Sequence, residues 1–353
     1  MTYQPNSIVV GDCIQVLRQA AAEGLRADLV FADPPFNIGY VYDVYEDAKA
    51  YDEYYAWTRD WMAACAGVLK PNGSFWIAIG DEYAAEIRIL GRQLGLTLRN
   101  WVIWHYTFGQ ATKRKFARCH AHLFYFTKHP KEFTFNDMAV RVPSARQMNY
   151  ADARANPNGK VPDDVWSISR VCGTFTERVE WHPCQMPEKI LDRILRASSN
   201  EGDLVMDPFN GSGTTAAAAA RLGRQYFTVD ISDTYVAESH KRIADTLAGK
   251  RPLVELSENP HKKRKVNTLE DKLRRQAEDA REKALARAAK RAKPLQIRRS
   301  VLDIPPTAAT TTDVATKRVG RPRKKRPTND PTESTTTVKP PKTDGLTPHS
   351  LFD

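Results

Sequence analysis

The sequence predicts an α/β fold: a mostly parallel sheet with helices on both faces, followed by a helical and then disordered C-terminal tail. Short apolar runs alternate with amphipathic stretches, as expected for buried strands and the helices that cover them. Beyond about residue 250 this alternation stops, and charged, Pro-rich and Thr-rich sequence takes over. These two observations set the predicted architecture.

Apolar runs bounded by turn residues predict the strands, and apolar side chains at helical spacing predict the helices. Lys70–Gly73 contains Pro and Gly and is predicted to end a helix, while Pro187 suits a first helical turn. The predicted strands are residues 7–10, 28–32, 74–79, 96–104, 121–127, 204–206 and 226–229. The predicted helices are residues 14–22, 54–69, 81–94, 187–198 and 216–220, and residues 37–53 are predicted to be a loop, either a lid or a solvated connection.

The stretch DPPF, residues 33–36, directly follows the apolar run 28–32. Two successive prolines neither continue a strand nor enter a helix interior, so Asp33 and Phe36 are predicted to stand on a stiff turn. Open α/β sheets bind ligands at this carboxyl end of their strands. An acid, backbone carbonyls and an aromatic ring suit a flat heterocycle with an exocyclic amine. Taken alone, the four residues are equally consistent with an ordinary strand-ending turn.

A second turn, DPFNGSGTT at residues 207–215, joins a strand to an alanine-rich helix. Gly211 and Gly213 allow a ligand to approach the backbone closely, and the helix start offers free N–H groups. The next strand ends at Asp230, where an acid is placed to hold ribose hydroxyls. The unit predicts a nucleoside-like cofactor, and it is not a P-loop because GK[ST] is missing.

The motif DPPF, then HPCQMPEK at residues 182–189, then DPFNGSGTT resembles the beta group of amino-methylating DNA methyltransferases. The resemblance spans roughly residues 6–247. It implies a Rossmann-like methyltransferase fold, S-adenosylmethionine as the methyl donor and double-stranded DNA as the substrate. Cys184 and Met186 stand where the family often has Thr and Lys, which is a mild departure.

The resemblance also implies roles for individual residues. The implied catalytic residues are Asp33, Pro34, Pro35 and Phe36. The implied cofactor-binding residues are Asp12, His182, Gln185, Asp207, Phe209, Gly211, Gly213, Thr214 and Asp230, of which Asp12 also suits the N-cap of a helix. We expect a flipped base to stack on Phe36 while Asp33 and the Pro34 carbonyl accept its amino hydrogens. Neither a metal nor a covalent intermediate is expected.

In this family, Asp at the first position of the catalytic motif favours adenine and Ser favours cytosine. Asp33 therefore predicts methylation of adenine N6, with cytosine N4 as the alternative. Methylation of a protein glutamine also uses a Pro-Pro-aromatic turn, but Asp33 and the order of the motifs argue against it. A non-catalytic DNA-binding protein with a retained fold is opposed by the intact Asp33, Phe36, Asp207 and Gly211.

Composition sets the outer bounds. The formal net charge is +11, yet residues 1–249 hold 27 Lys and Arg against 29 Asp and Glu, while residues 250–353 hold 26 against 13. The five cysteines show no CxxC spacing, so disulfides and a zinc site are not expected. Without a long apolar run or a signal pattern, we expect no membrane contact and a cytoplasmic, DNA-associated protein of a bacterium or phage.

Basic residues predict further DNA contacts. Lys113, Arg114, Lys115 and Arg118 form a cluster that suits DNA phosphate or, equally, a solvated charged loop. Residues 131–165 lie where the family places target recognition, although the stretch is short for that role. A cognate restriction nuclease and a homodimer are partners that the sequence leaves open.

The predicted domains are a methyltransferase domain at residues 1–249, a charged helical extension at 250–300 and a disordered basic tail at 301–353. Residues 317–326 resemble an AT-hook, which would lay Arg321 and Arg323 into an A·T-rich minor groove. Val319 replaces the usual Arg before the Gly, and a generic polybasic tail is the alternative.

Overall fold

The computed structural model describes residues 3–250 apart from 107, 108, 110–112, 151, 153 and 174. The predicted helical extension, the basic tail and the AT-hook-like segment with Arg321 and Arg323 lie outside the described residues.

The described residues form the strands β1 (Ser7–Val10), β2 (Ala27–Ala32), β3 (Leu69–Ile79), β4 (Thr97–His105), β5 (His120–Thr127), β6 (Val165–Ser167), β7 (Leu204–Asp207) and β8 (Gln225–Asp230). These eight strands form one sheet in the order β1-β8-β7-β2-β3-β5-β4-β6. Among these described strands, β5 alone runs antiparallel to both of its neighbours, and every other pairing is parallel. The predicted mostly parallel sheet is therefore confirmed.

Helices cover both faces of this sheet. They are α1 (Cys13–Ala22), α2 (Tyr51–Val68), α3 (Ala84–Gln93), α4 (Ala145–Tyr150), α5 (Glu188–Ser198), α6 (Thr214–Arg221) and α7 (Asp233–Leu247), with a 3-10 turn at Asp137–Val140. One apolar core joins α1, α2 and α3 to the first face, and a second joins α5, α6 and α7 to the other. Alternation within β2 shows why: Val30 faces the first core, whereas Leu29 and Phe31 face the second.

The topology brings the two halves of the chain together at the centre of the sheet. Strand β7, from the C-terminal half, pairs with β2, from the N-terminal half, through Leu29–Val205 and Val30–Met206. Because these strands are parallel, their carboxyl ends meet at one edge, and the turns that begin at Asp33 and Asp207 lie side by side there.

Several predicted boundaries are wrong, among them the start of α3, which is Ala84 rather than residue 81. Lys70–Gly73 was expected to separate a helix from a strand, but it lies within β3, which starts at Leu69. The register between β2 and β3 shifts between the pairs Ala27–Leu69 and Leu29–Ser74, so the Pro and Gly sit in a bulge. In addition, α2 begins at Tyr51 rather than at residue 54. Among the described helices, none is long and apolar enough to cross a membrane.

Candidate active site

A cavity of about 620 Å³ lies at the carboxyl ends of the central strands. All the predicted catalytic and cofactor-binding residues line it except Gly213, which lies in the glycine-rich turn that forms its floor. Lys115 and Arg118 of the basic cluster line it too, while Lys113 and Arg114 do not. Two turns that are far apart in the sequence therefore face one shared space.

The catalytic turn is held from helix α2. The hydroxyl of Tyr54 donates to the Pro35 carbonyl at 2.6 Å, so that carbonyl is occupied. No described hydrogen bond occupies the Pro34 carbonyl, which remains available as an acceptor. The ring of Phe36 lies against Gly80 at the end of β3, where an added Cβ would be 3.3 Å from the ring. This glycine provides the space that Phe36 needs.

The carboxyl of Asp33 faces the cavity, and no side-chain hydrogen bond to it occurs among the described residues. The residue is partly accessible from the cavity, but protein surrounds the carboxyl, and this burial raises its pKa to about 7. A carboxyl with such a pKa changes between acceptor and donor near neutral pH. It therefore suits contact with an amino group that must lose a proton.

The glycine-rich turn is shaped by Asp230, at the end of β8. Its Oδ2 accepts from Gly211 N–H at 2.7 Å and its Oδ1 accepts from Ser232 N–H at 2.9 Å. Gly211 has φ 47° and Gly213 has φ 71°, both in the left-handed region. An added Cβ at Gly211 would lie 2.9 Å from His182 Nε2, and one at Gly213 would lie 2.6 Å from Ser239 Oγ. Glycine is required at both places by conformation and by space.

A buried ion pair supports the same turn from below. Arg242 of α7 donates to the Ser212 carbonyl at 2.8 Å and to Thr214 Oγ1 at 2.9 Å. Its guanidinium also pairs with Glu188 of α5 at 2.8 Å, and the two side chains are 1% and 9% exposed. The turn is therefore fixed to two helices on one face of the sheet.

Three carboxyls in the cavity have raised pKa values because they are buried. Burial raises the pKa of Asp207 well above its ordinary value and raises that of Asp230, in addition to that of Asp33. Asp207 accepts from Phe209 N–H at 2.8 Å, and Asp12 caps α1 through Gln15 N–H at 2.9 Å, as predicted. A group of buried acids at one cavity favours a ligand that carries positive charge.

The segment with His182 and Gln185 contributes in two different ways. Burial lowers the pKa of His182 to about 4, so its ring is neutral near pH 7, and it packs against Tyr235 with ring centres 4.8 Å apart. Gln185 instead bonds its own loop: its Oε1 accepts from Val179 N–H at 2.8 Å and its Nε2 donates to the Glu177 carbonyl at 2.8 Å. The structure thus assigns the Gln185 amide to shaping the cavity wall.

The loop between β2 and α2 crosses the cavity. Buried Asp47 accepts from the backbone N–H groups of Asn37, Ile38 and Tyr40 at 2.7, 3.2 and 2.9 Å. The Ser232 hydroxyl bonds the carboxylate of Asp43, which ties this loop to the end of β8. The loop that was predicted to be either a lid or a solvated connection is thus folded around the side chain of Asp47.

The predicted DNA-contacting cluster divides into two groups. Lys113, Arg114 and Lys115 are exposed. Arg118, in contrast, pairs with Asp81 at 3.0 Å and Glu82 at 2.5 Å. The two ion pairs of Arg118 join this loop to the end of β3.

Sequence reasoning did not find Tyr54, Asp47 or Arg242, although each positions a part of the site. Their partners lie 19, 10 and 54 residues away at Pro35, Asn37 and Glu188, so no local motif marks them. Arg242 alone could have been found from the sequence. It stands on the apolar face of an amphipathic helix, where a charged residue needs a buried partner.

Known proteins resemble this chain over the same region. A family model described as DNA methylase, for N6 and N4 methyltransferases, matches residues 27–241. The chain belongs to this family. Over 243 residues it is 35% identical to Type II methyltransferase M.HpaI of Haemophilus parainfluenzae, covering 69% of this chain and 75% of that protein. Over 248 residues it is 35% identical to DNA adenine methyltransferase YhdJ of Escherichia coli (strain K12), covering 68% and 83%.

Solved structures confirm the Rossmann-like fold of the methylase. The M1.HpyAVI–SAM complex has a TM-score of 0.51 at 20% identity, covering 67% of this chain and 98% of that one. PvuII DNA methyltransferase, described as cytosine-N4-specific, has a TM-score of 0.51 at 20% identity, covering 70% and 93%. At such identities the likeness concerns the fold alone.

The cavity of the methylase fits S-adenosylmethionine, the methyl donor of this family. The donor has a sulfonium and an ammonium cation, and the cavity holds the buried carboxyls of Asp33, Asp207 and Asp230. It also has a nucleoside, which suits the acid at the end of β8 and the open glycine-rich turn. When bound, the donor supplies an electrophilic methyl group.

Proposed function

We propose that this methylase transfers a methyl group from S-adenosylmethionine to the N6 amino group of adenine, at specific sites in duplex DNA. One observation carries the proposal: the Asp33 carboxyl, without a described hydrogen-bond partner, faces the same cavity as the glycine-rich turn. Family membership supplies DNA as the substrate, and one relative named above is an adenine methyltransferase. Cytosine N4 is the alternative base, because the pocket chemistry it needs is the same.

The proposed mechanism needs only groups already in place. The flipped adenine stacks on Phe36, and its amino hydrogens are accepted by Asp33 and the Pro34 carbonyl. These acceptors draw the nitrogen lone pair out of conjugation with the ring, so the lone pair attacks the methyl carbon. A new N–C bond forms while the methyl–sulfur bond breaks, and the nitrogen then releases one proton. Asp33, with its pKa of about 7, accepts that proton and passes it to solvent.

The surrounding assignments belong to the same proposal. Asp12, His182, Asp207, Phe209, Gly211, Thr214 and Asp230 contact the cofactor, and residues 131–165 take part in reading the target sequence. We place the protein in the cytoplasm of a bacterium or of a phage-infected cell, on the basis of its bacterial relatives. A cognate restriction nuclease is part of the same proposal, and the similarity to a protein named Type II methyltransferase supports it. A homodimer is a further expectation, to be checked by its mass in solution.

Methyl transfer from labelled S-adenosylmethionine to duplex DNA, followed by digestion to nucleosides, tests the proposal. We expect label in N6-methyladenine. Label only in N4-methylcytosine would overturn the choice of base, and label in protein but not in DNA would overturn the choice of substrate. Modification-sensitive sequencing of DNA from cells that express the chain gives the recognition sequence.

The variant Asp33→Ala separates catalysis from cofactor binding. We expect at least a hundredfold loss of methyl transfer, because Asp33 contacts the amine, together with nearly unchanged affinity for the cofactor. The matched control is Asp60→Ala, which removes an exposed carboxylate of α2 that pairs only with its neighbour Arg59 among the described residues. A variant Asp33→Ala that loses the cofactor but keeps residual turnover would reverse the assigned role.

A further inference from the structure

The side chain of Phe116 is 99% exposed, the most exposed of the large hydrophobic side chains that the structure describes. An aromatic ring in that position loses all the free energy that burial would provide. It lies on the described loop 113–118, between β4 and β5, at the same sheet edge as the cavity. The proposed mechanism does not use it.

Residues on both sides of Phe116 place its ring beside the cavity. Lys115 and Arg118, on either side of Phe116, line the cavity that contains Asp33. Adjacent Cα atoms are about 3.8 Å apart, so Phe116 stands next to the cavity wall. The ion pairs of Arg118 with Asp81 and Glu82 fasten this segment to the end of β3. Phe116 is therefore a fully exposed ring on an anchored support.

The charges around the ring indicate its partner. Lys113, Arg114 and Lys115 precede it and are exposed, so the ring is presented on a strongly cationic segment. Such a combination of cations and an aromatic face suits phosphates and bases together. A protein partner with an apolar surface would not need the cations of Lys113 and Arg114.

A second exposed apolar group borders the same cavity but differs in charge. Val41 is 85% exposed on the loop between β2 and α2, next to Tyr40 and Tyr42, which line the cavity. That loop carries the exposed acids Asp43 and Glu46, which repel phosphate. The branched side chain of Val41 also has no flat face for stacking on a base.

We propose that Phe116 inserts into the DNA stack at the place vacated by the flipped target base, while Lys113 and Arg114 hold the flanking phosphates. This inference rests on the proposed function, since only an enzyme that extrudes a base leaves such a gap. Flipping costs unstacking and unpairing energy, and a ring that fills the gap offsets part of that cost. Phe116 is thus a positioning residue that makes the flipped state accessible.

The test compares two DNA duplexes that contain the recognition sequence found by modification-sensitive sequencing. In one the target base is paired normally, and in the other it faces a mismatched base, which lowers the cost of flipping. On the paired duplex we expect Phe116→Ala to lower kcat/KM for DNA by about 10-fold to 100-fold. On the mismatched duplex we expect most of that loss to disappear. Phe116→Trp, which keeps a stacking face, should remain close to the wild type.

The matched control is Ile89→Ala. Ile89 is another exposed large apolar residue, at 43%, on the surface of α3, and it does not line the cavity. We expect this control to leave both duplexes unaffected. Lys113→Ala should weaken paired and mismatched DNA equally and reduce the salt dependence of binding.

Several results would overturn the inference. Equal activity of Phe116→Ala and wild type on the paired duplex would do so, as would an equal loss on both duplexes. A loss in Val41→Ala with rescue by the mismatch, but none in Phe116→Ala, would assign the insertion to the other loop. If the wild-type protein methylates no DNA at all, the proposed function fails, and this outcome is distinct from each of the others.

Discussion

At the scale of single residues, the environment of Asp33 favours catalysis over stability. Its carboxyl is surrounded by protein and has no described hydrogen-bond partner, so its pKa rises to about 7. In the unfolded chain the same group ionises near pH 4. Between these values the folded protein retains a proton that the unfolded chain has lost, so raising the pH through this window destabilises the fold.

The variant Asp33→Asn removes that destabilisation. We expect it to raise the melting temperature by several degrees at about pH 8 and by less at about pH 5, where wild-type Asp33 is largely protonated. Thermal unfolding of both proteins at the two pH values checks this. An equal change in melting temperature at both pH values would mean that the ionisation of Asp33 does not cause the destabilisation.

The ionisation of Asp33 also sets a pH dependence of activity. Only the ionised carboxylate accepts both the amino hydrogens and the released proton, so kcat/KM for DNA should rise with pH up to about 7 and then level off. Measuring kcat/KM for DNA as a function of pH tests whether activity rises with pH as expected. Activity that falls across the same range would show that protonated Asp33 is the working form.

Most of the predicted site residues line one cavity, because local motifs mark the turns that carry them. DPPF and the glycine-rich turn are marked by Pro and Gly, whose backbone restrictions act wherever they occur. Tyr54 and Asp47 had no such mark, because each acts through a contact that exists only in the folded chain. A tyrosine in a helix looks the same in sequence whether it packs in a core or holds a backbone carbonyl of the catalytic turn.

At the scale of secondary-structure elements, the positions of most strands followed from apolar runs, but the bulge in β3 did not. Lys70–Gly73 has the composition of a turn, yet β2 on one side keeps the segment in the sheet with a shifted register. This is a tertiary effect that overrides local preference. The short β6 was missed for a related reason, since it gains its strand form by pairing with β4.

The connection of α5 to α7 through Glu188 and Arg242 gives a prediction about the fold. Arg242→Leu leaves Glu188 buried without its partner and removes two hydrogen bonds to the glycine-rich turn. We expect a loss of about 3–5 kcal/mol in the free energy of unfolding, measured with urea. Adding Glu188→Leu to that variant should recover part of the loss.

The neighbouring Lys241 provides the control for this experiment. It pairs with Glu238 on the surface of the same helix, so Lys241→Ala should change the free energy of unfolding by less than about 1 kcal/mol. If the double variant is no more stable than Arg242→Leu alone, the contacts to the turn matter more than the uncompensated charge.

At the scale of the whole molecule, the positive charge lies outside the catalytic domain. Residues 250–353 hold 26 Lys and Arg against 13 Asp and Glu. Ending the chain near residue 250 should weaken binding to long DNA and lower its salt dependence, because fewer counterions are released. Turnover at saturating DNA should persist, since every residue that lines the cavity remains. A truncated protein that does not fold would show that the boundary is wrong.

The AT-hook-like segment adds a comparison of two point variants. Only an Arg inserted in the minor groove senses the width of that groove, so Arg321→Ala should reduce the preference for A·T-rich flanks more than Lys325→Ala does. Competition binding with A·T-rich and G·C-rich duplexes measures the difference. Equal effects would identify a plain polybasic tail.

The pairing of β7 with β2 has a consequence for how the chain can be divided. A cut within residues 131–164 separates β1–β5, with the catalytic turn, from β6–β8, with the glycine-rich turn. The two pieces would then have to interleave, since β1 pairs with β8, β2 with β7 and β4 with β6. Neither piece alone encloses the cavity. If each piece were fused to a different protein, contact between those two proteins would bring the pieces together and restore the cavity. Methylation of DNA would then record that the two proteins had met.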